Sequence, residues 1–276
     1  MKLLLDWDFY VYQMAWACQT HPKDEFGHIT DHEAWELKPL SYAYVALHSL
    51  VKSVCARYET RDYTGYLSVA DGSKNFRKIL YPDYKMNRRV LDKPMYYHDI
   101  RQHIQERYPC EMADEDIEAD DALGIHHAKS RDTVLISVDK DMRMIPGTLY
   151  ISTTKDEVKV SDPGHLQMIK KEKGGNQIKG YGFKWFAAQM LLGDKADNIP
   201  QLKRGFSDVG VYKYLKSANT ISTIWNKVAE LYDEEGKSEE DLLKQAKLLW
   251  IMREPGQIFE KEIISELAKE EKRRQI

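Results

Sequence analysis

Three short apolar segments of this chain each end in an aspartate. They read LLLD, GYLSVAD and TVLISVD, and they end at Asp6, Asp71 and Asp139. Aliphatic and β-branched runs of this length predict buried strands, and helical periodicity fills the stretches between them. Such alternation favours an α/β fold with a mostly parallel central sheet and helices on both faces. Because parallel strands end at one edge of a sheet, the three carboxylates are expected to meet there.

The rest of the chain suggests two regions. Weaker strands are predicted over 148–152 and 157–160, and residues 164–182, rich in glycine and lysine, are predicted to form a loop. A helical pattern then continues to the C-terminus. We therefore expect an α/β domain over residues 1–182 and a helical region over residues 183–276 that packs on it as one compact unit.

Composition narrows the class of protein. The 276 residues carry a net charge of −3 and 31% charged residues, which suits a soluble protein. The apolar run at the N-terminus stops at Asp6, and no run approaches the roughly 20 residues of a membrane span. The three cysteines lack metal-site spacing. We interpret them as reduced thiols and expect a cytoplasmic location with no membrane partner.

Acidic residues recur in short groups along the chain. The groups are DWD (Asp6, Asp8), EADD (Glu118, Asp120, Asp121), SVDKD (Asp139, Asp141) and GDKADNIP (Asp194, Asp197). Each group alone is also typical of a helix cap or a turn. If they meet, two carboxylates 4 Å apart repel by about 4 kcal/mol at an effective dielectric constant near 20. Such a cluster requires bound cations or raised pKa values, and oxygen ligands without histidine or cysteine indicate Mg²⁺ or Mn²⁺.

A basic stretch lies between the second and third strand. Its cations are Lys74, Arg77, Lys78, Lys85, Arg88 and Arg89, and they are interleaved with Phe76, Tyr81 and Tyr84. A basic segment beside an acidic one suggests polyanion binding next to metal binding. The aromatic rings could stack on bases or pack on the protein. Two solvated surface segments would explain the composition equally well.

The motifs together resemble a known family. DWD, DGSKNFRKILYPDYKMNRR, EADD, SVDKD and GDKADNIP occur in the order and approximate spacing of the metal-dependent 5′ nucleases. These are the flap endonucleases, the 5′-nuclease domain of bacterial DNA polymerase I and the phage 5′→3′ exonucleases. The small size and the C-terminal EEDLLKQAKLLWIMREPG resemble the phage branch most. The resemblance implies a PIN-like 5′-nuclease fold, a helix-hairpin-helix-type DNA-binding region, and the host cytoplasm if a phage encodes the chain.

The resemblance also implies roles for individual residues. Two Mg²⁺ or Mn²⁺ ions would be bound, the first by Asp6, Asp71, Glu118 and Asp120, the second by Asp121, Asp139, Asp141, Asp194 and Asp197. Lys85 and Arg88 would be catalytic, at the base of a basic arch over about residues 72–110. DNA contacts would come from Lys74, Arg77, Lys78, Tyr84, Arg89, Lys203, Arg204, Gly205 and Gly210.

Two departures from the family pattern qualify these expectations. The stretch after Lys85 is short, so the arch is expected to be reduced. The family's Gly-x-Gly hairpin reads QLKRGFSDVGVYKYL here, with Gly205 and Gly210 spaced differently. A monovalent cation such as K⁺ at that hairpin is therefore only a minor expectation.

The expected activity is that of a monomeric 5′→3′ exonuclease or flap endonuclease. Its substrates would be duplex DNA with a 5′ end, nick or flap, with RNA in RNA–DNA hybrids as a further substrate. Two-metal water attack would leave a 5′-phosphate and a 3′-hydroxyl. One alternative is a haloacid-dehalogenase-type phosphatase that uses Asp6 as nucleophile and Asp8 as acid/base. The other is a non-catalytic, structure-specific DNA-binding protein.

Overall fold

A computed structural model describes residues 1–21, 35–69, 72–88, 93–130, 132–171 and 174–274. The strands, in chain order, are β1 (Lys2–Asp6), β2 (Gln19–Thr20), β3 (Glu36–Leu37), β4 (Tyr63–Leu67), β5 (Cys110–Met112), β6 (Thr133–Ile136), β7 (Gly147–Ile151), β8 (Asp156–Val160), β9 (His165–Lys170) and β10 (Asn176–Tyr181). Six of them form a central sheet in the order β5-β4-β1-β6-β7-β8. The other four form two small sheets, β2 with β3 and β9 with β10.

The central sheet confirms the predicted α/β architecture. All neighbouring strands from β5 to β7 are parallel, and β8 joins the edge antiparallel to β7. The chain adds β4 and β5 on one side of β1 and then returns to add β6 and β7 on the other. The strand order therefore reverses at β1, and such a reversal opens a crevice outside the carboxyl ends of the strands.

Helices cover both faces of the sheet. They are α1 (Trp7–Ala17), α2 (Leu40–Arg57), α3 (Phe76–Leu80), α4 (Tyr97–Arg107), α5 (Ala119–Lys129), α6 (Gly182–Leu192), α7 (Asp208–Leu215), α8 (Ile221–Glu234), α9 (Glu239–Leu249) and α10 (Lys261–Arg274), with 3₁₀ turns at Met86–Arg88 and Asp141–Met144. Leu3 and Leu5 of β1 pack in the core that α1, α2 and α4 cover, whereas Leu4 packs in the core that contains α5 and α6. Side chains alternate between the faces of a strand, so three consecutive leucines require apolar cover on both sides.

The C-terminal helices share one core with the sheet. Leu4 and Leu135 belong to the same buried cluster as Phe186, Trp250 and Phe259. Helix α6 lies at its centre and is buried along almost its whole length. The acidic loop after α6 is therefore anchored to the same core as β1 and β6.

The structure corrects one sequence prediction about local structure. Residues 164–182 contain the antiparallel hairpin β9–β10, not a loop, because Ile178 and Tyr181 are buried among the C-terminal helices while the lysines face outward. Within the expected arch, α4 packs against α1 and α2. Only residues 89–96 connect the 3₁₀ turn that ends at Arg88 to α4, and residues 89–92 lie outside the described part.

No helix among the described residues is long and apolar enough to span a membrane.

Candidate active site

Strand ends bring the first carboxylates together, as the sequence predicts. Asp6 ends β1 and is 1% exposed. One of its oxygens accepts the Phe9 amide hydrogen at 3.0 Å and caps α1, and the other accepts the Ser137 hydroxyl at 2.7 Å. Ser137 follows β6 and its Oγ also accepts the Asp139 amide hydrogen at 3.0 Å. The Ser137 hydroxyl thus joins the ends of two neighbouring strands. Asp71, the third predicted strand-end carboxylate, lies outside the described residues.

A cleft of about 530 Å³ opens at this edge of the sheet. Its described acidic lining residues are Asp6, Asp8, Glu118, Asp120, Asp139, Asp141, Asp194 and Asp197. Its described basic lining residues are Lys78, Lys85, Arg88, Lys93, Arg101 and Lys140. Seven of the nine predicted metal ligands and both predicted catalytic cations therefore line one cavity.

The GDKADNIP segment forms a tight loop that presents two of these carboxylates. Asp194 and Ile199 exchange backbone hydrogen bonds of 2.9 and 2.7 Å. Gly193 ends α6 with φ of +66°, and a Cβ there would lie 2.4 Å from the Pro200 carbonyl oxygen. The turn therefore requires glycine. Asp194 and Asp197 are both at most 9% exposed.

This loop completes a cluster of three carboxylates. Asp141, Asp194 and Asp197 each offer an oxygen, and these oxygens lie within 4.8 Å of one another. Burial, followed by the charge of Asp139, raises the pKa of Asp141 to about 8. The cluster cannot hold all its negative charge without compensating cations.

A second group of carboxylates lies beside it. Burial, with a further contribution from Asp139, raises the pKa of Asp6 to about 7. Burial and the charges of Asp6 and Asp139 raise the pKa of Asp120 well above its ordinary value. These shifts show mutual repulsion in a region with little solvent, which a divalent cation would relieve. All ligand atoms are oxygens, so the donor set fits Mg²⁺ or Mn²⁺.

The basic residues Lys85 and Arg88 contact two other carboxylates of the cleft, Glu118 and Asp197. Lys85 has φ of +54°, and its ammonium lies 2.6 Å from Glu118 Oε1 and 3.7 Å from Asp197 Oδ2. Arg88 pairs with Asp197 and donates through Nε to the Ala196 carbonyl at 3.0 Å. Although burial acts in the opposite direction, Lys85 and Arg77 lower the pKa of Glu118 to about 2. Glu118 is therefore ionised and holds the Lys85 ammonium at the cleft.

Asp121 and Arg77 take a different place from the predicted one. Asp121 is fully buried, and its two oxygens accept from Arg77 Nη1 at 2.6 Å and Nη2 at 2.8 Å. Arg77 is 1% exposed and also donates to the carbonyls of Leu248 and Trp250 at 3.1 and 2.6 Å. Both side chains are therefore buried and already paired with partners inside the protein. The assignments of Asp121 as a metal ligand and of Arg77 as a DNA contact are therefore corrected to a structural ion pair.

Tyr84 also has a different environment from the predicted one. Its ring is 2% exposed, which excludes stacking on a base in this conformation. Its hydroxyl donates to Glu118 Oε2 at 2.7 Å and lies 3.1 Å from Asp197 Oδ2. Tyr84 thus links carboxylates from two separate segments.

The other predicted DNA contacts lie on the surface or outside the described chain. Lys74 pairs with Glu115, and Lys78 lines the cleft. Arg89 lies outside the described residues. Lys203, Arg204 and Gly205 are exposed between α6 and α7, with Lys203 2.8 Å from Glu235. The Gly210 amide donates to the capping Ser207 hydroxyl at 3.2 Å, so that N–H is already occupied.

Sequence reasoning did not identify two residues that contact the three-carboxylate cluster. Gln189 of α6 is 2% exposed and donates through Nε2 to Asp141 Oδ1, while its Oε1 is buried without a hydrogen-bond partner in the described structure. Lys140 places its ammonium 2.8 Å from Asp194 Oδ2. A polar residue in the otherwise apolar helix FAAQMLL was the available signal for Gln189.

Asp8 is held outside the carboxylate clusters. Its Oδ2 accepts the Ser68 amide hydrogen at 3.0 Å, and its Oδ1 lies 3.2 Å from Arg101 Nη1. Arg101 also donates to the Ser68 carbonyl. Both oxygens of Asp8 are engaged in fixing the end of β4, which does not suit the acid/base role required by the phosphatase alternative.

Comparison with known proteins finds similar phage nucleases. No family model matches the chain. It is 27% identical to the exodeoxyribonuclease of Enterobacteria phage T3 in an alignment 288 positions long that covers 95% of this chain and 91% of that protein. It is also 27% identical to the exonuclease of Escherichia phage T7 over 277 residues, covering 91% and 88%. The chain is therefore similar to phage exonucleases over most of its length.

Solved structures of phage nucleases share the fold of this chain. A flap endonuclease of bacteriophage T5, crystallised as a pseudo-enzyme–product complex with DNA and metal ions, superposes with a TM-score of 0.56 at 16% identity. The match covers 98% of this chain and 97% of that one. A T5 5′-exonuclease with bound zinc gives the same TM-score and identity, covering 98% of both chains. The predicted fold is confirmed over nearly the full length.

Proposed function

We propose that this chain is a divalent-metal-dependent 5′→3′ nuclease that hydrolyses phosphodiesters near 5′ ends of DNA. The main support for the proposal is that one cleft, at the carboxyl edge of the sheet, is lined both by the carboxylates and by the cations Lys85 and Arg88. The names of the T3 and T7 relatives support exonuclease activity on DNA. The products would carry a 5′-phosphate and a 3′-hydroxyl.

Two groups of carboxylates would hold two metal ions. Asp141, Asp194 and Asp197 would hold one, since their oxygens already lie within 4.8 Å of one another. Asp6 and Asp120 would hold the other, with Asp139 near both groups, as its effect on their pKa values shows. When bound, such a pair of ions activates a water molecule and stabilises the leaving oxygen of the phosphodiester.

Lys85 and Arg88 would bind the scissile phosphate. Their charged ends contact Glu118 and Asp197, and both line the cleft. Metal held by Asp197 would weaken the attraction of that carboxylate for both cations and leave them available for a phosphate oxygen. A positioned cation acts most strongly on charge that develops in the transition state, so these residues should affect turnover more than binding.

The short connection after Arg88 favours action at duplex ends over threading of long flaps. Residues 89–96 must join a turn at the cleft to α4, which packs on the body of the protein. This connection is eight residues long, shorter than one helix of average length, which has about 11 residues. We therefore propose exonucleolytic release from blunt, nicked or recessed 5′ ends as the main activity.

The deciding experiment is cleavage of 3′-end-labelled blunt, nicked and 5′-flap DNA duplexes, with a matched RNA–DNA hybrid. We expect progressive shortening from the 5′ end in Mg²⁺ or Mn²⁺ and none in EDTA. A single labelled product, shortened by the length of the flap, would instead indicate endonuclease preference. Absence of cleavage on every substrate, with DNA binding retained, would favour the non-catalytic alternative.

A further inference from the structure

The Lys140 ammonium contacts the carboxylate oxygen of Asp194 that would be available to a metal ion. The backbone amide of Ala196 donates to Asp194 Oδ1 at 2.8 Å, so that oxygen is already engaged. The other oxygen, Oδ2, lies 2.8 Å from the Lys140 ammonium. Among the described residues no other cation forms an ion pair with Asp194. The ammonium and an incoming divalent ion would therefore compete for the same carboxylate oxygen.

The other cations near the cluster lie on its Asp197 side, so Lys140 matters most for the charge of Asp141 and Asp194. Asp197 has two cations near it, Arg88 and Lys85. Arg88 also donates to the Ala196 carbonyl, and Lys85 also donates to Glu118. Asp141 accepts only from a neutral amide, that of Gln189, and from no cation within ion-pair distance in the described chain. Lys140 is thus the cation that balances the Asp141–Asp194 side of the cluster.

The position of Lys140 in the chain allows its ammonium to move without moving the fold. Its backbone is fixed, because its carbonyl accepts the Trp185 indole hydrogen at 2.9 Å. Its side chain is 41% exposed, whereas that of Asp194 is 4% exposed. A lysine ammonium is a compact charge on a flexible stem. It can therefore leave Asp194 for the open cleft while Asp139 and Asp141, on either side of it, stay in place.

We propose that Lys140 is the internal counter-ion of the Asp141–Asp194–Asp197 cluster and is exchanged for a divalent cation when that cluster binds metal. The consequence is that Lys140 weakens metal binding at this cluster and sets the concentration of divalent ion that the protein requires. The proposal rests on the proposed function only in that both need a metal to bind at these carboxylates.

Metal binding without DNA tests the exchange directly. We would titrate the metal-free protein with Mn²⁺ by isothermal calorimetry, with electron paramagnetic resonance to count bound ions, for wild type and Lys140→Met. Loss of a positive charge a few ångströms from the ion should tighten binding at the cluster by about tenfold at low ionic strength. Unchanged or weaker Mn²⁺ binding in Lys140→Met would overturn the proposal.

Three further variants separate charge from geometry. Lys140→Arg keeps the charge and should bind Mn²⁺ like wild type. Lys140→Gln keeps a hydrogen-bond donor for Asp194 without the charge, so it should behave like Lys140→Met and replaces it if that variant fails to fold without metal. Lys195→Met removes an exposed lysine next to Asp194 and should change Mn²⁺ affinity little. Equal tightening by Lys195→Met would mean that net charge alone acts, which also contradicts the proposal.

These measurements can fail independently of the nuclease assignment. If wild type cleaves DNA but Lys140→Met binds Mn²⁺ no more tightly, the exchange is wrong and the function stands. If no cleavage is found but Lys140→Met binds Mn²⁺ more tightly, the exchange stands and the function fails.

Discussion

Asp120 and Asp121 are adjacent in the sequence and have opposite environments. Asp120 lines the cleft beside Asp6 and Asp139, whereas Asp121 is sealed against Arg77. Successive residues on an α-helix point about 100° apart, so one of a pair can face the cleft while the other enters the core. The motif EADD identifies the right turn of helix but does not say which carboxylate faces a metal.

Gln189 should position Asp141 for metal binding. Substitution Gln189→Met keeps the volume and removes the amide that donates to Asp141 Oδ1. We expect the Mg²⁺ concentration for half-maximal cleavage to rise several-fold, because a carboxylate held in one orientation binds metal better than a mobile carboxylate. Loss of such a supporting partner typically costs about 10- to 100-fold in metal affinity or activity. Mg²⁺ titration of the cleavage rate measures this. Met190→Leu, the next buried position on α6, is the control and should leave the Mg²⁺ requirement unchanged.

Asp197 should be required for cleavage more than for DNA binding. Asp197→Asn keeps the shape and removes the charge that pairs with Arg88 and that would hold a divalent ion. We expect the single-turnover cleavage rate to fall at least about 100-fold, with duplex affinity in Ca²⁺ changed less than about threefold. Parallel loss of rate and affinity would show that Asp197 serves mainly to bind DNA.

At the scale of elements, Arg77 connects three parts of the chain. It lies on α3, pairs with Asp121 of α5, and donates to the carbonyls that end α9. Asp121 in turn accepts the Met252 amide hydrogen at 3.1 Å. The basic segment beside the cleft, the acidic helix and the C-terminal region are therefore joined by one buried ion pair.

Removal of Arg77 should destabilise the whole fold. Arg77→Met leaves Asp121 buried without its partner, and loss of one member of a buried pair costs about 3–5 kcal/mol of unfolding free energy. Urea unfolding followed by circular dichroism measures the loss. Lys74→Met, which breaks an exposed pair with Glu115, should cost little. The double variant Arg77→Met/Asp121→Leu should recover part of the loss, and no recovery would mean that the hydrogen bonds to Leu248 and Trp250 matter more than the charge.

The same scale shows what the sequence could and could not predict. Strands β1, β4 and β6 were predictable because each is a short, largely apolar run between helical stretches, and Asp6 and Asp139 follow from the strand ends. Strands β7 and β8 were predicted as weaker strands. The hairpin β9–β10 was missed because only one of its faces is buried and its residues include glycines and lysines. Arg77 was assigned to DNA because sequence gives charge and not burial. The contacts of Gln189, Tyr84 and Lys140 depend on segments about 50 to 110 residues apart, which no local pattern reveals.

At the scale of the whole molecule, repulsion among the buried carboxylates of the cleft lowers the unfolding free energy of the metal-free protein. Burial raises the pKa of Asp6 to about 7 and of Asp141 to about 8, from an ordinary value of 3.8, and raises that of Asp120 as well. Between about pH 4 and pH 8 the folded protein therefore retains protons that the unfolded chain has released. Stability then falls as pH rises through this window. The lowered pKa of Glu118, about 2, acts only below pH 4.5 and does not offset it.

Divalent ions should reverse this loss, and their effect should grow with pH. Below about pH 6 a metal ion must displace protons from Asp6 and Asp141, whereas near pH 8.5 those two carboxylates are largely ionised and bind it directly. We expect the melting temperature without metal to fall from pH 5 to pH 8.5. Addition of 5–10 mM Mg²⁺, about a 100-fold excess over protein, should raise the melting temperature, and this increase should be largest near pH 8.5. Differential scanning fluorimetry without DNA measures both. Asp141→Asn removes one of these groups and should flatten both pH dependences; a metal-free melting temperature that rises towards pH 8.5 would show that the carboxylates are not the dominant titrating groups of the fold.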